Sequence, residues 1–259
     1  MHGPQMTRCL FSILLALVLF FLYGPLLHPL LVAVSTTGQV SPGMTFTLDR
    51  FGEMFNGRMV APALVNSLIA AAVTGVVTPI LAVLGAMAVR EFRLKRLVVL
   101  TMILPLFIPA VTMGLASALL LRMLGIPASL LTIIVVHVVW ALPFAFLIVL
   151  TVMSGFNPVY LEAAYMSGAD RWRAFRSIEL PLIWPGVSGA ALFSAIISFN
   201  ETIRTTLVQG ANNTIQTYIW SQFLQVGLSQ QLFALMASLI LLTVGLVLVM
   251  ITLSLRRTA

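Results

Sequence analysis

Residues Asn157 to Gly186 read NPVYLEAAYMSGADRWRAFRSIELPLIWPG, and six of these thirty residues are charged in a chain where only 8% are. Asn157 and Pro158 suit a helix start, because asparagine accepts orphan N–H groups and proline is tolerated in the first turn. Gly168 suits the left-handed turn that closes a helix, and Asp170 suits the cap of a second helix, which Pro181 is expected to end. Trp172, Phe175 and Ile178 recur every three residues as an apolar stripe, with Arg171, Arg173 and Arg176 around it. The pattern predicts two short helices joined by a glycine turn. Its small residues (Ala163, Ala164, Ser167, Gly168 and Ala169) admit close approach of a partner. Two readings stay open from the residues alone. The knob is a docking surface for another protein, or it is an interfacial hairpin with aromatics in the headgroups and arginines on anionic lipid.

The setting of this knob is apolar. The chain is 60% hydrophobic with a mean hydropathy of +1.09. A soluble domain carries about 25% charged residues, so this sequence lacks the polar surface to cover itself in water. The net charge of +7 comes from bases scattered at the edges of apolar runs, which excludes a nucleic-acid patch and fits the positive-inside rule. The single cysteine, Cys9, excludes an internal disulfide or a multi-cysteine metal site and reads as inert packing. Leu10–Val34 is too long for a signal-peptide core of roughly 7–15 residues and is read as a retained first span, with Pro25 and Pro29 kinking its far end.

An all-α polytopic membrane protein with one transmembrane domain over residues 1–259 follows. Its six expected spans are roughly 10–34, 62–89, 97–121, 130–153, 187–208 and 232–255, with the charged loop at 156–186. If the spans alternate, ten bases (Arg8, Arg90, Arg93, Lys95, Arg96, Arg171, Arg173, Arg176, Arg256 and Arg257) share one side. Only Arg50, Arg58 and Arg122 lie opposite, so both termini and the knob are expected in the cytoplasm. In the outer loop 35–61, Phe46, Leu48, Phe51 and Phe55 suit one face of a short interfacial helix. The other outer loop, 209–231, has no charge, and its Tyr218, Trp220 and Phe223 suit the membrane boundary.

Polar residues inside the spans are few. Glu201 falls about fourteen residues past the inner start of span five, roughly 21 Å at 1.5 Å per residue, with Arg204 and Thr205 three and four residues on. A carboxylate at that depth needs a partner or a watery path. Either Glu201 and Arg204 form a local pair that holds packing, or Asn200, Glu201 and Arg204 line a translocation path. His28 and His137 read as satisfied packing residues, not metal ligands, and Arg122 as snorkelling to the outer interface. Ala82, Gly85, Gly114 and Ala118 suit close helix contacts, and the thirteen methionines read as core filler.

Glu162-Ala163-Ala164, Gly168 after three residues, Ile178 after nine more, and Leu180-Pro181 after one more reproduce the EAA signature without a gap. The chain therefore resembles the permease subunits of binding-protein-dependent ABC importers, of the type I fold. Asn66-Ser67-Leu68, LPLFIPAV (Leu104–Val111) and ALPFAF (Ala141–Phe146) look like the same family. The resemblance implies that the knob is a coupling helix seated on a cytoplasmic ATPase. Glu162 would face a basic residue there, Gly168 would form the turn, and Ala163 and Ala164 would allow close seating. Ala169, Asp170, Ile178, Leu180 and Pro181 complete the implied coupling surface.

A P-loop needs a glycine-rich loop ending in Gly-Lys-Ser/Thr, and the one lysine, Lys95, lies between Leu94 and Arg96. No catalytic residue, metal ligand or cofactor is assigned to this chain. ATP and Mg2+ are expected in partner ATPase subunits, beside a second permease subunit, an extracytoplasmic solute-binding protein and the lipid of a bacterial inner membrane. The stretch SFNETIRTTLVQG…TIQTYIWSQF is similar to the spermidine and putrescine branch. It departs from that branch at Asn200-Glu201, where acidic pairs are frequent, and at Thr214-Ile215-Gln216. The resemblance points to a polyamine as substrate, and because Arg204 repels a polycation a small amino-acid-like amine is the second candidate. An ion-gradient transporter or channel is the rival class, with Glu201 as its one clear coupling carboxylate. An intramembrane enzyme finds no convergent catalytic set.

Overall fold

Proline, glycine and capping side chains set most helix boundaries in this chain. The computed structural model describes residues 3–54, 58–92 and 95–258, apart from the side chains of 3–7, 9, 246–251 and 253–258. Cys9, Phe55, Arg93, Arg256 and Arg257, singled out above, fall outside the described side chains. The helices are α1 (Gly3–Val34), α2 (Asp49–Glu53), α3 (Val60–Glu91), α4 (Lys95–Ile103), α5 (Ala110–Met123) and α6 (Leu130–Ser154). They continue as α7 (Val159–Met166), α8 (Arg171–Ala174), α9 (Leu180–Phe199), α10 (Ile203–Val208), α11 (Ile215–Val226) and α12 (Gln230–Thr258). The contacts divide into two units, one of Met1–Val60 with Ile219–Ala259 and one of Ala61–Tyr218.

In the first unit α1 packs on α12, where the His28 ring stands edge-on to Phe233 at 6.0 Å. The apolar residues of α1 from Leu10 to Leu22 point outward and are exposed, as lipid-facing side chains are. The loop after α1 turns back on itself, with the Thr36 N–H donating to the Thr45 carbonyl at 3.0 Å. The interfacial helix expected in this loop is a single turn, Asp49–Glu53. Phe46 sits outside it in an isolated bridge to Ser35, and Leu48 is its cap residue, so neither belongs to a helical face with Phe51. The Thr47 hydroxyl, bonded to the Asp49 carboxylate at 2.7 Å, holds the chain in a local turn and delays the helix start.

In the second unit α6 runs through the middle. Ile133, Val136, Ala141, Ala145, Phe146 and Val149 are all buried along it. Ala82, Val83 and Ala86 from α3 and Ile183 and Ala190 from α9 close on its lower half. Between helices in lipid there is little hydrophobic drive, so small residues that let backbones approach carry the association. A Cβ on Gly75 would lie 3.1 Å from the Ala191 carbonyl oxygen of α9, and one on Gly186 only 2.6 Å from Val152 Cγ2 of α6. The Asn66-Ser67 pair has a local use as well. Asn66 Nδ2 donates to the Asn213 carbonyl at 3.0 Å, and Ser67 Oγ accepts from the Ile215 N–H at 2.8 Å.

Four described helices are long and apolar enough to cross a membrane: Leu10–Val34, Val60–Glu91, Leu130–Ser154 and Arg171–Phe199. The third expected span is not one rod. It breaks at Leu104–Phe107, and the two pieces, Lys95–Phe107 and Ala110–Met123, meet at 105°. Pro105 and Pro109 cause this, since each lacks an N–H and Ile108 is pushed to extended backbone before Pro109. Counted as one span, the bent pair is the fifth. The sixth expectation, 232–255, falls on α12, whose described apolar part is Gln230–Gly245.

The fifth expected span, 187–208, is shifted. Its helix starts upstream, in the knob itself, and ends at Phe199. Residues 200–202 break it, and Ile203–Val208 form the separate α10. The loop expected at 209–231 is largely helical, as α11.

Candidate functional site

The knob is built from short-range hydrogen bonds. Asn157 Oδ1 accepts from the Val159 N–H at 3.1 Å and starts α7. Gly168 ends it at φ +83, a conformation that costs a residue with a Cβ about 1–2 kcal/mol. The Gly168 N–H donates to the Tyr165 carbonyl and the Ala169 N–H to the Ala164 carbonyl, both at 3.0 Å, which satisfies two orphan carbonyls. Asp170 Oδ1 then accepts from the Arg173 N–H at 2.7 Å and starts α8.

Leu161, Ala164 and Ala174 form the knob's own small core, joined by Phe156, Ala169 and Ile178. Ala164, expected on the partner-facing side, is 7% exposed and instead packs on Leu161 and Ala174 between the two helices. Glu162, Ala163 and Tyr165 of α7 and Arg171, Trp172 and Arg173 of α8 are exposed. Among the described residues Glu162 has no ion-pair partner. Asp170 and Pro181 are exposed, and Leu180 is half-buried.

Pro181 does not end the second helix. A π turn over Phe175–Glu179 carries α8 into α9 with no break, so the knob and the span form one 29-residue helix, Arg171–Phe199. The Leu180 N–H reaches back to the Phe175 carbonyl, and this wide turn takes up the proline that an α-helical interior would reject.

The polar cluster lies where α9 stops. Asn200 is exposed and donates from Nδ2 to the Ile196 carbonyl at 2.9 Å. Glu201 is not on a helix face with Arg204, as the spacing suggested; it lies in the break and caps α10. Its Oε1 accepts from the Arg204 N–H at 3.0 Å and its Oε2 from Arg204 Nη1 at 2.7 Å. Arg204 is 4% exposed, and its guanidinium stacks on Trp140, 3.6 Å from the ring centroid, with Nε on Met113 Sδ at 3.4 Å. The local pair is therefore formed.

His137 sits below the pair, fully buried between Ser198 Oγ (Nδ1, 2.7 Å) and Thr205 Oγ1 (Nε2, 2.8 Å). Thr205 donates its one proton to the Glu201 carbonyl at 2.9 Å, so the ring proton belongs on Nε2 and Nδ1 accepts from Ser198. No group of three or more metal-ligating side chains occurs among the described residues.

Gly114 holds α10 in place. A Cβ there would lie 2.6 Å from Leu207 Cδ1 and 3.3 Å from Arg204 Cα. Leucine can swing aside but the backbone of α10 cannot, so Gly114→Ala is expected to destabilise the solubilised protein by about 1–3 kcal/mol. A thermal melt in detergent reads this directly.

Sequence reading missed Glu179. It occupies the unspecified position between Ile178 and Leu180-Pro181, yet it is 1% exposed and forms a forked pair with Arg90 at the end of α3. A charge inside an otherwise apolar run, SIELPLIW, was the available signal. Trp140 was missed because nothing in the sequence ties it to a residue sixty-four positions later.

Residues 79–258 match the family model described as binding-protein-dependent transport system inner membrane component. The chain is similar to the spermidine/putrescine transport system permease protein PotC of Haemophilus influenzae, 24% identical over 88% of this chain and 91% of the relative. It is also similar to the trehalose transport system permease protein SugB of Mycobacterium tuberculosis, 29% identical over 74% of this chain and 72% of that one. The crystal structure of a bacterial ABC transporter involved in import of the acidic polysaccharide alginate covers 98% of this chain and 97% of its own, at TM-score 0.79 and 16% identity. A bacterial alginate ABC transporter in complex with an alginate pentasaccharide-bound periplasmic protein gives TM-score 0.69 at 20% identity, over 95% of this chain and 93% of its own. Likeness at such identities is a likeness of fold. The family model, by contrast, spans more than half of the sequence, and it sets aside the ion-gradient reading: the chain belongs to the inner-membrane permease components of binding-protein-dependent ABC importers.

Proposed function

We propose that the 157–186 knob is the coupling helix of this permease, seated on a cytoplasmic P-loop ATPase that binds ATP and Mg2+. The observation that carries the reading is mechanical. A capped two-helix knob, with Glu162 exposed and without an ion-pair partner among the described residues, continues without a break into a membrane-length helix. A push on such a knob moves the span. Glu162, Ala163 and Tyr165 form the seat, Gly168, Ala169 and Asp170 set its turn, and Ala164, Ile178, Leu180 and Pro181 hold its shape.

The chain supplies half of the translocation path, with a second permease chain as the other half, both termini in the cytoplasm and a solute-binding protein on the outer side. The alginate transporter with its bound periplasmic protein supports that last partner. Asn200, Glu201 and Arg204 form the polar step of the path: Asn200 presents its amide, and Arg204 fixes the Glu201 carboxylate. PotC relatives favour a polyamine as solute, and the neutralised carboxylate favours a small amine or amino-acid-like solute.

Extraction in mild detergent is expected to bring down a P-loop ATPase with this chain, and Gly168→Val to reduce its yield, because valine resists φ +83. Solute uptake by the chain alone in vesicles would overturn the proposal.

A further inference from the structure

The knob is tied to α3 at both ends of its second helix. Arg90, at the end of α3, donates from Nη1 to Glu179 Oε1 and from Nη2 to Glu179 Oε2, the latter at 3.3 Å. Its Nε lies 3.7 Å from Glu91 Oε1, and Glu91 Oε2 lies 4.0 Å from Arg171 Nη1. Arg171 opens α8 and Glu179 closes the π turn, so consecutive residues of α3 bracket the whole segment. The inner link is the stiff one, since the Glu179 side chain is only 2% exposed and bidentate pairing fixes direction as well as distance. Arg171 is 88% exposed, and its link is screened by water and salt.

Glu179 lies where the knob's face gives way to the buried face of α9. Ala174 and Ile178 face α7 across the knob's core, whereas Ile183, Gly186, Ala190 and Ser194 line the buried face of α9. Counting back by four from Ile183 lands on Glu179, one residue and about 100° away from the knob's face. Adjacent positions thus serve two sides: Ile178 packs on the knob's core and Glu179 presents its carboxylate to Arg90 of α3.

We infer that Arg90 and Glu179 are positioning residues for coupling, the joint through which displacement of the knob reaches α3. α9 needs no joint, because it continues the knob's own backbone. α3 meets α9 without backbone continuity, through the close approach of Gly75 to the Ala191 carbonyl and the apolar packing of Ala82, Val83 and Ala86, and apolar packing is non-directional. The Arg90–Glu179 fork adds direction and moves α3 and α9 together. This inference rests on the coupling reading proposed above.

The test uses the assembled importer, with its ATPase, in proteoliposomes with liganded binding protein. Glu179→Gln removes the charge and keeps the shape. It is expected to leave ATPase co-purification and stimulated hydrolysis within about twofold, while solute imported per ATP falls at least about fivefold. The exchange of charges, Arg90→Glu with Glu179→Arg, is expected to restore part of that ratio. An unchanged ratio in an assembled Glu179→Gln complex overturns the inference. If that variant does not assemble, the charge exchange decides: an assembled exchange with no recovery above an Arg90→Glu control overturns it equally. Glu162→Lys separates the two levels. If it leaves uptake untouched, the coupling reading fails; if it abolishes uptake while Glu179→Gln keeps the ratio, only the joint fails.

Discussion

Arg204→Ala will destabilise the permease by about 3–5 kcal/mol, the cost of leaving a carboxylate only 10% exposed without its partner. Glu201 receives two hydrogen bonds from Arg204, one from the backbone and one from the guanidinium, and the alanine variant keeps only the first. The variant also strips the cation from the face of Trp140, and opens a void beside Met113. Glu201→Gln with Arg204→Met removes both charges while keeping volume, and its melting temperature is expected to return most of the way. That double variant separates packing from transport. If it folds and imports solute at the ordinary rate, Glu201 and Arg204 serve packing alone. The polar-step reading expects it to fold and to import poorly. Detergent melts and vesicle uptake on the same preparations give both numbers.

The ends of the knob were legible because their determinants are local. Asn157, Gly168 and Asp170 act on backbone groups within five residues, and each bond has a residue type that favours it. The fate of Pro181 was not legible. Proline forbids an α-helical bond to the residue four back, but a π turn withdraws that demand. Whether one forms depends on the two faces that the helix must serve, one against α7 and one against α6 and α3. Span three failed in the opposite way: Pro105 and Pro109 were both visible, yet the apolar run around them read as one span because hydropathy ignores backbone geometry. The break at Asn200–Thr202 has the same origin. Glu201 and Arg204 lie three apart, which suits one helical face, but the carboxylate satisfies the Arg204 N–H only where the helix has already stopped. Trp140 and Glu179 needed the packing of α6 and α3, which no spacing within the knob or span five encodes.

Glu162→Lys will abolish uptake, by at least about tenfold, while the binding protein keeps its affinity for ligand. Glu162 lies in the first turn of α7, exposed and without a partner among the described residues. Locally the change is small: a lysine at a helix N-terminus loses about 0.3–1 kcal/mol of dipole interaction, and the knob's core of Leu161, Ala164 and Ala174 is untouched. Fold stability measured by melting therefore stays within about 1 kcal/mol. Across a seated interface the effect is of another size, since a like charge placed against a basic residue costs several kcal/mol. Glu162→Gln, which removes attraction without adding repulsion, is expected to fall between the two and to show weaker salt dependence of ATPase binding than the parent. An acidic residue introduced on the ATPase opposite Glu162→Lys should recover uptake, because it rebuilds the pair with its charges exchanged. A parent-like rate in Glu162→Lys, with the complex intact, would place the ATPase elsewhere on the protein and leave the outward face of α7 to lipid headgroups.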